Sequence, residues 1–532
     1  MEAAAAAFLA AASALLAAFF LYALLCLSPA ATARRLRKAG FRGPSPSFPL
    51  GNLREITSSL QAKPDPAAAV GSSSDIHAAV FPYFARWRQA FGKVFVYWLG
   101  TEPFLYVADP DFLKSATAGT LGRIWGKPDV FRRDRMPMFG RGLVMAEGDD
   151  WARHRHIIAP AFSATNLNDM ISVMEETTSK MLGEWSDMVA SGHRSIDVEK
   201  GVVQNAAQII AKASFGITDD DATGGRVFQK LQAMQSMLFR STRLVGVPLA
   251  NLLHVRSTYE AWKLGREIDA LLLEIIDARR RRIGGRGRKK DLLALLLAGN
   301  EASAGAERKL TTRELVDECK TFFFGGHETT ALALSWTLLM LAAHPEWQTA
   351  LRKEVEEVAG GREGEPLDAA ALARLTKMGC VINEVLRLYP PSPNVQRQAL
   401  QDVVVPVEDL AGDVKAAAPV IIPQGTNMWI DVVAMHRDVA LWGEDVNEFR
   451  PERFMREAVL GGCRHRLGFL PFGFGGRICV GRNLTAMELR VVLAMVLRRF
   501  SLEVAPQYRH APRIMLSLRP SHGIHLRLTP LI

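Results

Sequence analysis

The chain has 532 residues, about half of them apolar, with five cysteines and a net charge of +10. That composition supports a large core and excludes wholesale disorder. The sparse, odd set of cysteines, with no C-x-x-C pair, excludes a disulfide framework and points to a reducing compartment.

The excess charge is local. Arg34, Arg35, Arg37, Lys38 and Arg42 form one cluster, and Arg279–Arg282, Arg286 and Arg288–Lys290 form another. Outside them acids slightly outnumber bases, so no general affinity for nucleic acid is expected. Such clusters suit anionic lipid headgroups or an acidic protein partner.

From Ala3 to Leu27 there is no charge. A helix of that length spans about 37 Å, enough to cross a hydrocarbon layer of about 30 Å. The first cationic cluster follows at once and only Glu2 precedes, so the positive-inside rule puts the body of the protein in the cytoplasm. A cleaved signal would be shorter and would follow a basic start. Residues 1–33 are therefore expected to anchor the chain as a single-pass helix in contact with membrane lipid. Residues 34–52, with Pro44, Pro46 and Pro49, are expected to form a basic, proline-rich, stiffly extended hinge.

Residues 53–532 read as one domain, mainly α with small β-sheets. Residues 94–99 and 104–108 are β-branched and aromatic around Gly100-Thr101-Glu102 and predict a hairpin. Helices are predicted over about 165–191, 204–214, 225–240, 258–283, 312–343, 346–358, 378–388 and 482–499. Extended segments are predicted near 401–406, 419–430 and 513–529, and the Gly-rich, basic stretch 284–306 reads as an inserted surface loop.

Residues 472–481 read Phe-Gly-Phe-Gly-Gly-Arg-Ile-Cys-Val-Gly and fit F-x-x-G-x-R-x-C-x-G. By chance such a match arises in roughly one chain of this length in ten thousand. A cysteine thiolate pushes electron density onto haem iron and favours O–O cleavage. Cys479 lies just before a helix whose positive end should lower its thiol pKa. Gly475 and Gly481 should let the backbone pass close to sulfur and macrocycle. Arg477 is placed to reach a propionate, and Phe472 to pack beside the ring.

The predicted helix 312–343 opens on a Thr311-x-x-Glu314 capping box and carries Gly325-Gly326-His327-Glu328-Thr329-Thr330 in its middle. Two glycines inside a helix cost about 1 kcal/mol each. That suggests the backbone opens there to admit oxygen, the alternative being close contact with another helix. The acid–alcohol pair Glu328-Thr329 suits proton delivery. His327 reads as packing.

With these motifs the chain resembles the cytochrome P-450 superfamily, from the anchor to the last strand. The run Cys319-Lys-Thr-Phe-Phe-Phe324 and the closing Tyr508-Arg-His-Ala-Pro512 resemble the plant 72 clan and, within it, the family numbered 715. The resemblance implies the cytochrome P-450 fold and haem b held by Cys479. Glu328 and Thr329 would serve catalysis. Trp151, Arg155 and Arg397, with Arg477, would hold the propionates. Glu384, Arg387 and Arg453 would form a buried structural triad. It also implies monooxygenation of a lipophilic small molecule, terpenoid, hormone-like or fatty acid, with electrons from NADPH through NADPH–cytochrome P-450 reductase, at the endoplasmic reticulum membrane. Relatives that act as isomerases or dehydratases tend to lose the acid–alcohol pair or disrupt the cysteine loop. A haem-based sensor would leave Glu328-Thr329 unexplained.

Trp125, Phe131, Met136, Met138, Phe139, Phe323, Phe324 and the neighbourhood of Asn394 are candidate pocket residues. Arg132, Arg133 and Arg135 could meet a substrate carboxylate.

Overall fold

The structure is a computed structural model that describes residues 2–61, 76–119, 123–217, 222–240, 244–282, 291–302, 309–360, 365–406, 419–457 and 459–531. Arg286 and Arg288–Lys290 of the second basic cluster, and parts of the stretches 120–146 and 284–306, lie outside the described residues.

The N-terminal helix runs without a break from Glu2–Tyr22 through a π-helical turn at Ala23–Leu27 into Ser28–Lys38. Its apolar stretch is long enough to cross a membrane and is not buried against the body. The helix carries on through Arg34, Arg35, Arg37 and Lys38, residues expected to lie in the hinge. These four are exposed, whereas Ala33 and Leu36 are buried.

Nor is the proline-rich segment a free, extended spacer. Residues 47–51 turn back on themselves, and Asn52 is stitched to Trp98. The Asn52 backbone N–H donates to Trp98 O (2.8 Å), and its side-chain oxygen accepts from Trp98 N (2.9 Å). Phe48 packs edge-on against the Trp98 ring at 5.0 Å. Aromatic burial against the hairpin outweighs the stiffness of the prolines.

The body is mainly helical around one continuous core. Its axis is the helix Thr312–Ala343, which is capped as expected: Thr311 Oγ1 accepts from Glu314 N and Glu314 Oε2 accepts from Thr311 N. Nearly every residue along this helix is buried, because Val198–Phe215, Val255–Arg282, Thr376–Leu388 and Arg482–Arg499 pack around it. A helix that is apolar on most sides has to be surrounded.

A five-stranded sheet flanks the helical part in the order Val94–Leu99, Glu102–Val107, Asn427–Asp431, Asn394–Ala399 and Trp125–Gly126. The first two strands are the expected hairpin, with Val94 opposite Val107. Glu102–Val107 runs parallel to Asn427–Asp431, and the other pairs are antiparallel. Ile196–Asp197, His525–Pro530 and Phe500–Val504 form a second sheet. Pro512–Met515 with Ser517–Pro520, and Val403–Val405 with Val420–Ile422, form two-stranded ribbons. All five cysteines are free.

Candidate active site

Between the cysteine loop and the helix Thr312–Ala343 lies a cavity of about 720 Å3. One wall holds Cys479, Arg477, Phe472, Trp151, Arg155 and Arg397, and the other holds Gly325, Glu328 and Thr329. Three of the six residues on the first wall come from outside the loop. Trp151 and Arg155 share one face of Gly148–Ile158, and Arg397 lies on Asn394–Ala399.

Cys479 N–H donates to Phe472 O (2.9 Å), which closes the loop, and the helix Arg482–Arg499 begins three residues later. The sulfur faces the cavity and receives backbone N–H groups from Gly481 and Arg482. Burial raises the thiol pKa, and those N–H groups with the charges of Arg155 and Arg482 offset this only in part. The expected lowering by the helix is therefore outweighed by desolvation in the protein alone. A metal bound at the sulfur would ionise the thiol outright.

Gly475 does not line the cavity. It takes φ of +64° at the start of a 3-10 turn, Gly475–Arg477. This left-handed turn, unfavourable for a residue with a Cβ, carries the chain round from Phe472 to Arg477. Gly481 does line the cavity, and a Cβ built there would sit 4.0 Å from the Cys479 sulfur, an ordinary contact.

The rim is cationic and short of acids. Arg477 donates to Ala146 O (2.9 Å) and lies over the Trp151 ring at 4.9 Å. Arg155 donates to Ile478 O (2.9 Å), and Arg397 donates to its neighbour Gln396 O (2.9 Å). Among the described residues no carboxylate pairs with any of the three, and the Trp151 indole N–H has no acceptor. Burial and the nearby charge of Arg477 push Arg397 down to about 10. Lys127, which the sequence reading overlooked, joins them: burial and the charges of Arg397, Arg477 and Arg135 hold its pKa well below the usual lysine value. Crowded, desolvated cations of this kind fit a group with two carboxylates. One thiol facing a cavity rimmed by such cations is the donor set that a haem with two propionates requires.

On the opposite wall, Thr329 Oγ1 donates to Gly325 O (3.0 Å), one turn back along the helix. Gly325 opens into the cavity. Gly326 does something else: a Cβ there would come within 2.3 Å of Ile210 Cδ1, so it serves close approach to the helix Val198–Phe215. Close contact with another helix thus accounts for Gly326, while Gly325 has open space beside it. His327 is buried against Phe228, as packing was expected to require.

Glu328 is buried at the cavity edge and fully engaged. It accepts from Ser517 Oγ (2.6 Å), Gln235 Nε2 (3.0 Å) and Arg519 (3.0 Å). Its ion pair with Arg519, from the strand Ser517–Pro520, gave no signal in the sequence.

The triad lies beneath the loop. Arg387 makes two bonds to Glu384, at 2.7 and 2.8 Å, and Arg453 Nε lies 3.4 Å from the same carboxylate. Arg387 also donates to His436 O (3.0 Å), and His436 Nε2 accepts from Leu470 N (2.8 Å), two residues before Phe472. This chain of bonds ties the triad to the cysteine loop. His154, beside Arg155, is buried, with Nδ1 2.5 Å from Glu318.

Of the candidate pocket residues, Phe131, Phe139, Phe324 and Asn394 line the cavity. Phe323 turns the other way and stacks on Phe215 at 4.4 Å. Trp125, Met136 and Met138 are not among the lining residues.

Fold and site together define a haem-thiolate protein, and comparison with known proteins agrees. Residues 62–527 match the family described as Cytochrome P450. The chain belongs to the cytochrome P450 family, whose members are monooxygenases with a haem-thiolate iron. It is 34% identical to "Cytochrome P450 714C2" of Oryza sativa subsp. japonica, over 95% of this chain and 94% of that protein. It is 35% identical to a "Cytokinin hydroxylase" of Arabidopsis thaliana over 96% of each chain. It is also 34% identical to "Cytochrome P450 734A1" of Arabidopsis thaliana, over 94% and 92%.

Proposed function

We propose that the protein hydroxylates or epoxidises a lipophilic small molecule, terpenoid, hormone-like or fatty acid. Electrons come from NADPH through NADPH–cytochrome P-450 reductase, and the catalytic domain faces the cytoplasm at the endoplasmic reticulum membrane. The observation that carries this reading is that Cys479 and the Gly325-Thr329 turn line one cavity whose rim holds unpaired cations. A relative named a cytokinin hydroxylase supports a hormone-like substrate. Assignment to the plant 72 clan, and within it to the family numbered 715, rests on the residues quoted above and belongs to the same proposal.

Haem bound here would supply oxygen activation and insertion into an unactivated C–H or C=C bond. The chain's own residues do the rest. Cys479 would hold the iron, Trp151, Arg155, Arg397 and Arg477 would hold the propionates, and Phe472 would pack beside the ring. Thr329, whose hydroxyl now donates to Gly325 O, would offer that hydroxyl to the cavity if it turned away from the helix. Glu328, one residue before it and held by Arg519, Ser517 and Gln235, would supply the carboxylate through which a proton could pass.

The test is the reduced, carbon-monoxide-bound absorption spectrum of the full chain. A strongly red-shifted Soret band, absent in Cys479→Ala, is expected. Product formation should then require both NADPH and reductase. An unshifted haem spectrum in the unsubstituted protein would remove the thiolate assignment.

A further inference from the structure

Three arginines sit together at the start of the pocket wall, and only one is free to act on a ligand. Arg132 is tied to Asp129 and Glu147, and Arg133 reaches Asp129. Arg135 lies between the short helices Asp129–Asp134 and Met136–Phe139, and its side chain lines the cavity. Its guanidinium is 4.5 Å from the centre of the Phe131 ring and 5.4 Å from that of Phe239, at the end of Ala222–Arg240. Among the described residues it has no hydrogen-bond or carboxylate partner, and its Nε is buried without an acceptor. Burial pushes its pKa down to about 10, and the charge of Asp134, next in the chain, offsets this only in part.

The guanidinium thus lies over two rings on different elements, and neither accepts a hydrogen bond from it. Stacking on aromatic faces stabilises a guanidinium by about 0.5–2 kcal/mol, but it satisfies none of the five N–H donors. A desolvated charge left without an acceptor is expensive, and the fork geometry of arginine matches a carboxylate in two-point fashion. Leu238, Val245, Phe324, Ile514 and Leu516 give the same cavity an apolar lining, Asp134 also borders it, and the acid Glu328 is already committed to Arg519. We propose that Arg135 is the seat for a carboxylate carried by an otherwise apolar substrate, so that the preferred substrates are lipophilic carboxylic acids. The inference rests on the functional reading above and narrows it. Because the guanidinium is held in place by Phe131 and Phe239 before the ligand arrives, little orientation is lost on binding. An anchored carboxylate would also fix which carbon of the apolar body reaches the iron.

The test uses the full-length holoprotein in lipid nanodiscs, titrated with abietic acid and with methyl abietate. Binding is read from the low- to high-spin absorbance shift of the haem and, independently, by equilibrium dialysis. The acid should bind tighter than its ester by on the order of tenfold, the scale of a hydrogen-bonded charge. Arg135→Gln should weaken the acid alone and abolish that difference, while Arg135→Lys should keep part of it. Equal affinity for acid and ester in the unsubstituted protein overturns the proposal. So does an Arg135→Gln variant that weakens both equally, which would mean packing only. Loss of haem from that variant also overturns it, since Arg135 would then belong to the propionate rim. The carbon-monoxide spectrum is recorded first. If it lacks the thiolate signature, the functional reading fails by itself, while dialysis still reports whether acid and ester are distinguished.

Discussion

Gly325 and Gly326 are neighbours in sequence with opposite surroundings, and the difference can be measured. A Cβ on Gly325 meets nothing within 4 Å, whereas one on Gly326 meets the buried Ile210 side chain. In a helix interior, replacing glycine by alanine gains about 1 kcal/mol where the site has room. Gly325→Ala should therefore raise the thermal midpoint slightly, while its methyl group narrows the cavity and lowers turnover. Gly326→Ala should lower the midpoint, because Ile210 has to move within a packed core. Thermal unfolding of the two variants beside the unsubstituted protein decides the matter: equal midpoints would show that neither glycine has the role its neighbours indicate. The sequence shows that two glycines fall inside a helix, but it cannot show which one abuts a neighbouring helix, because that depends on where the helix Val198–Phe215 crosses.

At the scale of elements, the helix Gly148–Ile158 carries Trp151 and Arg155 to the cavity, and what holds it against Thr312–Ala343 is a buried ionic contact. His154 Nδ1 lies 2.5 Å from Glu318 and Nε2 lies 3.2 Å from Glu314. Burial alone would lower the His154 pKa, but the hydrogen bonds and charges of Glu318 and Glu314 together outweigh it and raise the value above 6.5. A histidine whose folded pKa is raised adds stability that is fully present below its unfolded pKa, about 6.5. That stability is lost as pH rises through the higher folded value. The stability margin of the unsubstituted protein over His154→Gln should thus be largest in mildly acidic buffer and shrink toward alkaline pH. A margin that grows with pH, measured by thermal unfolding across the range, would falsify the charged pair. Trp151 and Arg155 were singled out through the family resemblance, whereas the hairpin and most long helices were legible from periodicity. The strand Asn394–Ala399 was not: Asn394, Gln396, Arg397 and Gln398 break the apolar alternation of a strand. They do so because the strand borders a cavity that wants polar groups. Lys127 and Arg519 were invisible for a related reason, since each finds its role only through partners hundreds of residues away.

For the whole molecule, the boundary between anchor and body falls inside one helix, and the two sides of that boundary face different solvents. Phe8, Leu9, Leu15, Leu16, Phe19 and Phe20 are exposed all round the first turns, as lipid contact requires. From Pro29 onward the same helix becomes two-faced: Ala33 and Leu36 are buried against the body, and Arg34, Arg35, Arg37 and Lys38 point outward, where anionic headgroups would meet them. Phe41 follows, buried edge-on against Phe112 at 6.4 Å, and Arg42 O accepts from Val96 N (2.8 Å). Burying a leucine or phenylalanine stabilises by about 1.5–3 kcal/mol, so residues 33–42 belong energetically to the body although the charges of Arg34, Arg35, Arg37 and Lys38 are exposed. Two truncations separate these contributions. A chain starting at Ser28 should keep the thermal midpoint of the full protein, lose integral membrane insertion, and still bind anionic vesicles in a salt-sensitive way. A chain starting at Gly43 should lose the salt-sensitive binding and also melt earlier, because the pockets for Leu36 and Phe41 are left open and Val96 loses a backbone partner. If both truncations melt with the full chain, the helix beyond Pro29 is only a tether. If only the second melts early, the anchor's last turns are part of the fold that presents the cysteine loop.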